Sequence, residues 1–249
     1  MTLVIALKCT NGIVMASDGQ ATVFSTGGPV RQRIKKIFKL AENILFGASG
    51  SVGAIQRVRD IFRQYATAIS QEGLYYENTV RIRREIFELM KGELDRHQAF
   101  HGRREGAPLA DILVCVCELP QGKFRIWHIT ADCSEEFLDE VGYGCSGIGD
   151  TFAHTLLRNY YSEDLDIDAG KVIAYRVIKD AIDVGAFGLG EPIDIWVMRL
   201  KREKEGKYVV RTHQLSSEEI MALRETYVSW KNAERELLFK KILRNRKSK

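Results

Sequence analysis

Threonine at position 2 can carry a nucleophile and a base on one residue. Removal of the initiator methionine would leave a free α-amine beside the threonine hydroxyl, and an unactivated hydroxyl becomes nucleophilic only when a base takes its proton. Two charged side chains with strand-like spacing could complete such a site. In an extended strand, residues of equal parity share a face. From Arg33 to Leu40 this puts Ile34, Lys36, Phe38 and Leu40 on an apolar face, and Arg33, Lys35, Ile37 and Lys39 on a polar one. On the run Ile13–Asp18, Val14, Ala16 and Asp18 share a face. A lysine on a buried face is costly without a partner, and Asp18 is the nearest carboxylate by strand arithmetic. The alternatives for Lys36 are a slipped register or a stem that snorkels to solvent.

The elements that must hold these groups begin at once. Thr2–Lys8 and Ile13–Asp18 flank Thr10-Asn11-Gly12, and Asn-Gly between apolar runs signals a hairpin. Arg33–Leu40 and Asn43–Gly50 follow as strands. Val52, Ile55, Val58, Ile61, Phe62 and Tyr65 then recur at helical spacing, giving a helix from Ser51 to about Ser70. Asn78 is the expected N-cap of a second helix carrying Val80, Ile86, Phe87, Met90 and Leu94. Strands are expected at Ala110–Leu119, Lys123–Ile129, Glu136–Val141, Ile193–Leu200 and Tyr208–Leu215, the last two joined by a turn at 203–207. Helices are expected at Asp150–Tyr161 and Asp168–Val184, and Ser216-Ser217-Glu218-Glu219 caps a last long helix. Continuous apolar strands such as Leu3–Leu7 require sheets covered on both faces. Two packed sheets sheathed by helices, an α+β arrangement in four αββα layers, meet that requirement.

Thr2, then Ser17-Asp18-Gly19-Gln20-Ala21-Thr22, Lys35-Lys36-Ile37 and Gly47-Ala48-Ser49-Gly50-Ser51 together resemble the N-terminal nucleophile hydrolases of the proteasome β-subunit branch. The Asp-Gly-Gln-Ala-Thr run is similar to that of HslV-like members. The resemblance implies a threonine endopeptidase with Thr2 as nucleophile, Asp18 and Lys36 as its charged pair, and Gly50 as oxyanion donor. Ser146, in a Cys145-Ser146-Gly147 stretch similar to the family's Gly-Ser-Gly turn, would assist the amine. Thr22 would pair with substrate backbone, and Ile34, Ala48 and Val52 would line an apolar pocket for the residue before the scissile bond. It also implies the αββα fold, a ring-shaped homo-oligomer acting on unfolded protein or peptide substrates, an ATP-dependent unfoldase partner, and no cofactor or metal. The β-type Asp and Ser that precede a Gly-Gly are missing from Ala186–Pro192, and Asp183 is a poor substitute. The non-catalytic α-type members open with a helix ahead of the first strand, whereas this chain starts directly at Thr2. A non-catalytic ring subunit and an acyl-threonine transpeptidase or ligase are the other readings.

Bulk properties fit one domain over residues 1–249, with 216–249 a helical extension ending in a basic tail. The 249 residues are 45% hydrophobic with a formal charge of +4. The last ten residues carry six cations and no acid, so the rest is at −2. That tail reads as a solvated helix end more readily than as a nucleic-acid contact. The absence of a long apolar run or signal sequence argues for a cytoplasmic protein with no membrane partner, and five scattered cysteines read as buried reduced thiols. His97 and His101, four apart, lack a third ligand for a metal. Gly142-Tyr143-Gly144-Cys145-Ser146-Gly147 spells a dinucleotide fingerprint. However, the strands leading into it have no crossover helices, so the serine-bearing turn is the better reading.

Overall fold

A computed structural model describes residues 2–25, 28–107, 109–119, 121–185, 188–202 and 208–240. Six strands come first: β1 (Leu3–Cys9), β2 (Gly12–Asp18), β3 (Gln20–Ser25), β4 (Gly28–Arg33), β5 (Ile37–Ala41) and β6 (Ile44–Gly50). Helices α1 (Val52–Glu72) and α2 (Tyr76–His101) follow, then β7 (Ala110–Glu118), β8 (Lys123–Ile129), β9 (Glu135–Phe137) and β10 (Tyr143–Gly147). The chain continues with α3 (Asp150–Tyr160), α4 (Ile167–Val184), β11 (Ile193–Arg202), β12 (Tyr208–Gln214) and α5 (Ser217–Leu238).

One sheet has the order β10-β1-β2-β11-β12 and the other β5-β6-β7-β8-β9, with β3-β4 a separate hairpin. Side-chain alternation sorts the interior into three layers. Leu3, Ile5, Leu7, Val14 and Ala16 pack against α3, α4 and α5. Val4, Ala6, Ile13 and Met15 face Leu45, Leu113 and Cys115 across the inter-sheet core. Phe46, Val114 and Trp127 pack under α1 and α2 with Val58 and Phe62. Both faces of β1 and β2 are therefore dry, which is why their sequences are apolar without alternation. The result is the expected αββα sandwich.

The local differences have physical reasons. In the first hairpin Gly12 already pairs with Cys9, so the loop residues are Thr10 and Asn11. Asn11 instead accepts a hydrogen bond from Ile167 N–H at 3.1 Å, tying the hairpin to the start of α4. The strand expected over Arg33–Leu40 is broken: β4 ends at Arg33 and β5 begins at Ile37. Parity does not carry across the break, and Ile37 turns into the inter-sheet core instead of the polar face. α2 starts at Tyr76 with Tyr75 at the N-cap position, so Asn78 lies in the first turn and donates to Glu72 Oε2 at 3.3 Å. The strand expected at Glu136–Val141 shrinks to Glu135–Phe137. The glycine-rich stretch at 143–147 is a strand, not a turn, paired antiparallel with β1 over five residues. That pairing engages the backbone a nucleotide phosphate would need. Ser216 caps α5 in a reciprocal capping box with Glu219. Cys9, Cys115, Cys117 and Cys145 are free and buried, while Cys133 is half-buried. Burial raises the thiols, those of Cys9 and Cys117 to about 12. The turn at 203–207 and most of the basic tail lie outside the described residues, as do Ala186 and Phe187.

Candidate active site

Thr2 heads β1, the strand between β10 and β2. Its carbonyl accepts from Ile148 N–H at 3.0 Å, and the next residue, Leu3, donates its N–H to Asp18 Oδ1 at 2.9 Å. These two bonds fix the threonine's backbone from both sides. Gly147 adopts φ +109°, and a β-carbon there would sit 2.1 Å from the Thr2 carbonyl oxygen, so only glycine allows β10 to close on the threonine.

Asp18 is fully buried at the end of β2. Besides Leu3 N–H, it accepts from the N–H groups of Gln20 and Gly190, each at 3.3 Å. Its strongest partner is Lys36, whose Nζ lies 2.6 Å from Oδ1. Lys36 is only 4% exposed and also donates to the Gln20 carbonyl at 2.7 Å. The break between β4 and β5 is what delivers it there. Burial lowers the Lys36 pKa, and the charge and hydrogen bond of Asp18 oppose that fall. Sequence parity thus names the correct pair, although a loop and not a strand face brings it together.

Ser146, on β10, is buried, and its hydroxyl lies 2.9 Å from that of Ser49. Ser146 is also a donor to the Asp111 carbonyl at 3.3 Å. A hydroxyl has one hydrogen to give, so the chain Ser49→Ser146→Asp111 employs each hydrogen once and leaves Ser146 a lone pair. In the sequence Ser49 stands within the Gly47–Ser51 motif without a role of its own. Its signal was nonetheless present: with Leu45 and Gly47 it shares the inter-sheet face of β6, where a polar residue needs a partner.

A cavity of about 290 Å³ opens beside Thr2 and brings together Ile34, Lys36, Ala48, Gly50 and Val52 from the sequence-derived set. Ala21, Phe38, Ile55, Gln56 and Arg59 extend its walls. Gly50 has φ +111°, and a β-carbon would meet the Leu109 carbonyl oxygen at 2.3 Å. Neither Ser146 nor Ser49 lines this cavity; the Ser49–Ser146 pair lies between β6 and β10. Thr22 is on β3, its backbone paired with Arg31; its side chain lies outside the described residues. Asp183 is remote from this cluster, engaged by Lys179 at 2.8 Å and the Tyr227 hydroxyl at 3.3 Å. No group of three or more metal-ligating side chains occurs among the described residues.

A four-layer sandwich with a threonine at the head of a central strand, backed by a buried lysine–aspartate pair, is the architecture of an N-terminal nucleophile hydrolase. The chain belongs to the proteasome subunit family, whose model matches residues 2–198. It is 28% identical to proteasome subunit beta 2 of Nitrosopumilus maritimus (strain SCM1), the alignment covering 84% of this chain and 93% of the relative. It is 26% identical to the proteasome subunit beta of Nanoarchaeum equitans (strain Kin4-M), over 81% and 94% of the two chains. Among solved structures it is similar to an Anbu (Gly-1) mutant from Hyphomicrobium sp. strain MC1, with a TM-score of 0.66 at 14% identity. That likeness, which concerns the fold alone, covers 97% of this chain and 98% of the other.

Proposed function

We propose that the chain is a threonine endopeptidase subunit that works within a ring-shaped assembly. Its nucleophile is Thr2, freed by a methionine aminopeptidase. The observation that carries the reading is the Lys36–Asp18 pair at 2.6 Å, buried one residue from Thr2 and hydrogen-bonded to Leu3 N–H. A buried pair costs desolvation and is weak evidence of stability; beside a threonine amine it has a catalytic use.

The α-amine, with an ordinary pKa of about 7.7–8, takes the proton from Thr2 Oγ1 as that oxygen attacks a peptide carbonyl. The Lys36 ammonium favours the neutral amine by charge repulsion and stabilises negative charge developing on Oγ1. Ser146 accepts an amine hydrogen, which orients the nitrogen lone pair toward the hydroxyl. The tetrahedral oxyanion is held by Gly50 N–H, a contact of a type worth roughly 3–4 kcal/mol in the transition state. Collapse breaks the C–N bond, the ammonium returns its proton to the leaving amine, and an acyl-threonine ester remains. Water, activated by the same amine, then releases the acid and restores Thr2.

In a ring, such sites face a chamber that only unfolded chains enter, with an ATP-dependent unfoldase as the feeding partner. The test is degradation of an unstructured protein by the full chain beside Thr2→Ala and Lys36→Ala. Loss of peptide release in both variants, with retained assembly, supports the reading. Equal release by all three proteins overturns it. An added amine-acceptor peptide that captures the acyl group in place of water would turn the assignment to transpeptidation.

A further inference from the structure

Arg59 sits in the wall of the Thr2 cavity with no hydrogen bond from its guanidinium among the described residues. Val52, Ile55, Gln56 and Arg59 recur at i, i+3, i+4 and i+7 on α1, so one helical face supplies four residues of the pocket wall. The axial rise over those seven residues is about 10 Å, and helical side chains lean toward the N-terminus, which shortens the distance from the guanidinium to the Thr2 end of the helix. The side chain is only 18% exposed. Its Nε is buried and unpartnered. Its nearest carboxylate, Asp60, lies 3.8 Å away, beyond hydrogen-bond distance, and is shared with Arg63 at 3.2 Å. Stacking on the Phe38 ring, 4.7 Å from the centroid, holds the plane of the guanidinium without using its N–H groups.

The buried Nε–H has no acceptor within the chain, and a guanidinium partly withdrawn from water gains from an acceptor that enters the cavity beside it. No acidic residue lines the cavity among the described residues: its other cations are Lys35, which is exposed, and Lys36, whose ammonium is held at the Thr2 end by Asp18 and the Gln20 carbonyl. The walls between Thr2 and Arg59 are apolar, formed by Ile34, Phe38, Ala48, Val52 and Ile55. This is a slot for a short aliphatic stem that ends in an anion. We propose that the pocket selects an acidic side chain, glutamate foremost, at the residue preceding the scissile bond, and that Arg59 is the specificity-determining group. The apolar walls then hold the methylenes and Arg59 grips the carboxylate through a charge-assisted pair. The inference rests on the peptidase reading, because it takes this cavity as the one that flanks the scissile bond.

Binding can be measured without turnover. Isothermal titration of the full chain with acetylated tetrapeptides ending in Glu, Gln, Leu or Lys should rank Glu first by at least tenfold. Arg59→Gln should remove that preference while leaving the leucyl peptide within threefold, and Arg59→Glu should move the preference to Lys. A wild-type panel with no preference for Glu overturns the inference, and so does a preference that survives in folded Arg59→Gln. If the variants fail to fold, the wild-type panel alone decides. Labelling of Thr2 by a proteasome-type covalent inhibitor is scored separately: an adduct without acidic preference sinks the specificity and spares the peptidase reading, whereas acidic preference without an adduct sinks the peptidase reading and, with it, the assignment to the residue before a scissile bond, leaving Arg59 as a carboxylate-binding group only.

Discussion

Asp18 and Lys36 share one buried bond, yet their removal should be unequal. Asp18 accepts from Lys36 Nζ and from the N–H groups of Leu3, Gln20 and Gly190. In Lys36→Met the carboxylate loses its cation but keeps three backbone donors. In Asp18→Ala the lysine loses the Asp18 carboxylate and the three N–H groups lose their acceptor. Breaking a buried pair from one side costs about 3–5 kcal/mol. The backbone donors should bring Lys36→Met to the lower end, at about 3 kcal/mol, and leave Asp18→Ala at the upper end. With both partners removed, the cost should fall short of the sum of the two single variants by about 2 kcal/mol. Urea unfolding at fixed protein concentration measures all four corners of the cycle. In the same series, covalent inhibitor labelling of Thr2 should slow about a hundredfold in Lys36→Met, in the range of a lost electrostatic stabiliser of developing charge. Additive single-variant costs, or a Lys36→Met protein labelled at the wild-type rate, would refute the argument that this pair is a coupled catalytic unit.

Three further outcomes follow from the geometry. Gly50→Ala should lose about 1–3 kcal/mol in urea unfolding through its φ of +111° and the 2.3 Å approach of the new β-carbon to the Leu109 oxygen, and should label slowly with covalent inhibitors. Ser49→Ala removes the donor to Ser146, a bond worth about 1 kcal/mol, so kcat on a peptide substrate should fall roughly fivefold with KM unchanged. The Asp194 carboxyl is raised above the ordinary value by burial, against hydrogen bonds from Trp196 and Gln214. A raised folded pKa means stability present below the unfolded value of about 3.9 and lost as pH rises through the folded value. Asp194→Asn should therefore flatten the melting-temperature profile above pH 4.

Much of the frame could be read from residue order because its causes are local. The apolar runs of β1 and β2 announced strands buried on both faces, and the periodicity from Val52 to Tyr65 gave α1. Ser216 and Glu219 gave the start of α5 through a capping box. What failed was whatever depends on partners outside the residue's own element. Ile34 to Phe38 alternates like a strand, yet the chain breaks there to send Lys36 down to Asp18. Tyr143–Gly147 reads as a flexible glycine loop, but β1 supplies hydrogen-bond partners for it, and its small residues let Thr2 and Ser49 approach. Asn78 looks like a cap, but α2 begins at Tyr76 and Asn78 instead bonds the end of α1. The charged pair was legible because a lysine among apolar neighbours demands a carboxylate. Ser49 carried only the signal of a polar residue on an inter-sheet face, and Arg59 carried none, because an arginine on an amphipathic helix has an ordinary explanation until the cavity brings it beside Thr2.

The most direct test of the central claim is the intact mass of the purified full chain before and after a proteasome-type covalent inhibitor. The account predicts loss of Met1 and a single adduct, mapped to Thr2 and absent from Thr2→Ala. A chain that has lost Met1, holds its fold and still takes no adduct would contradict it.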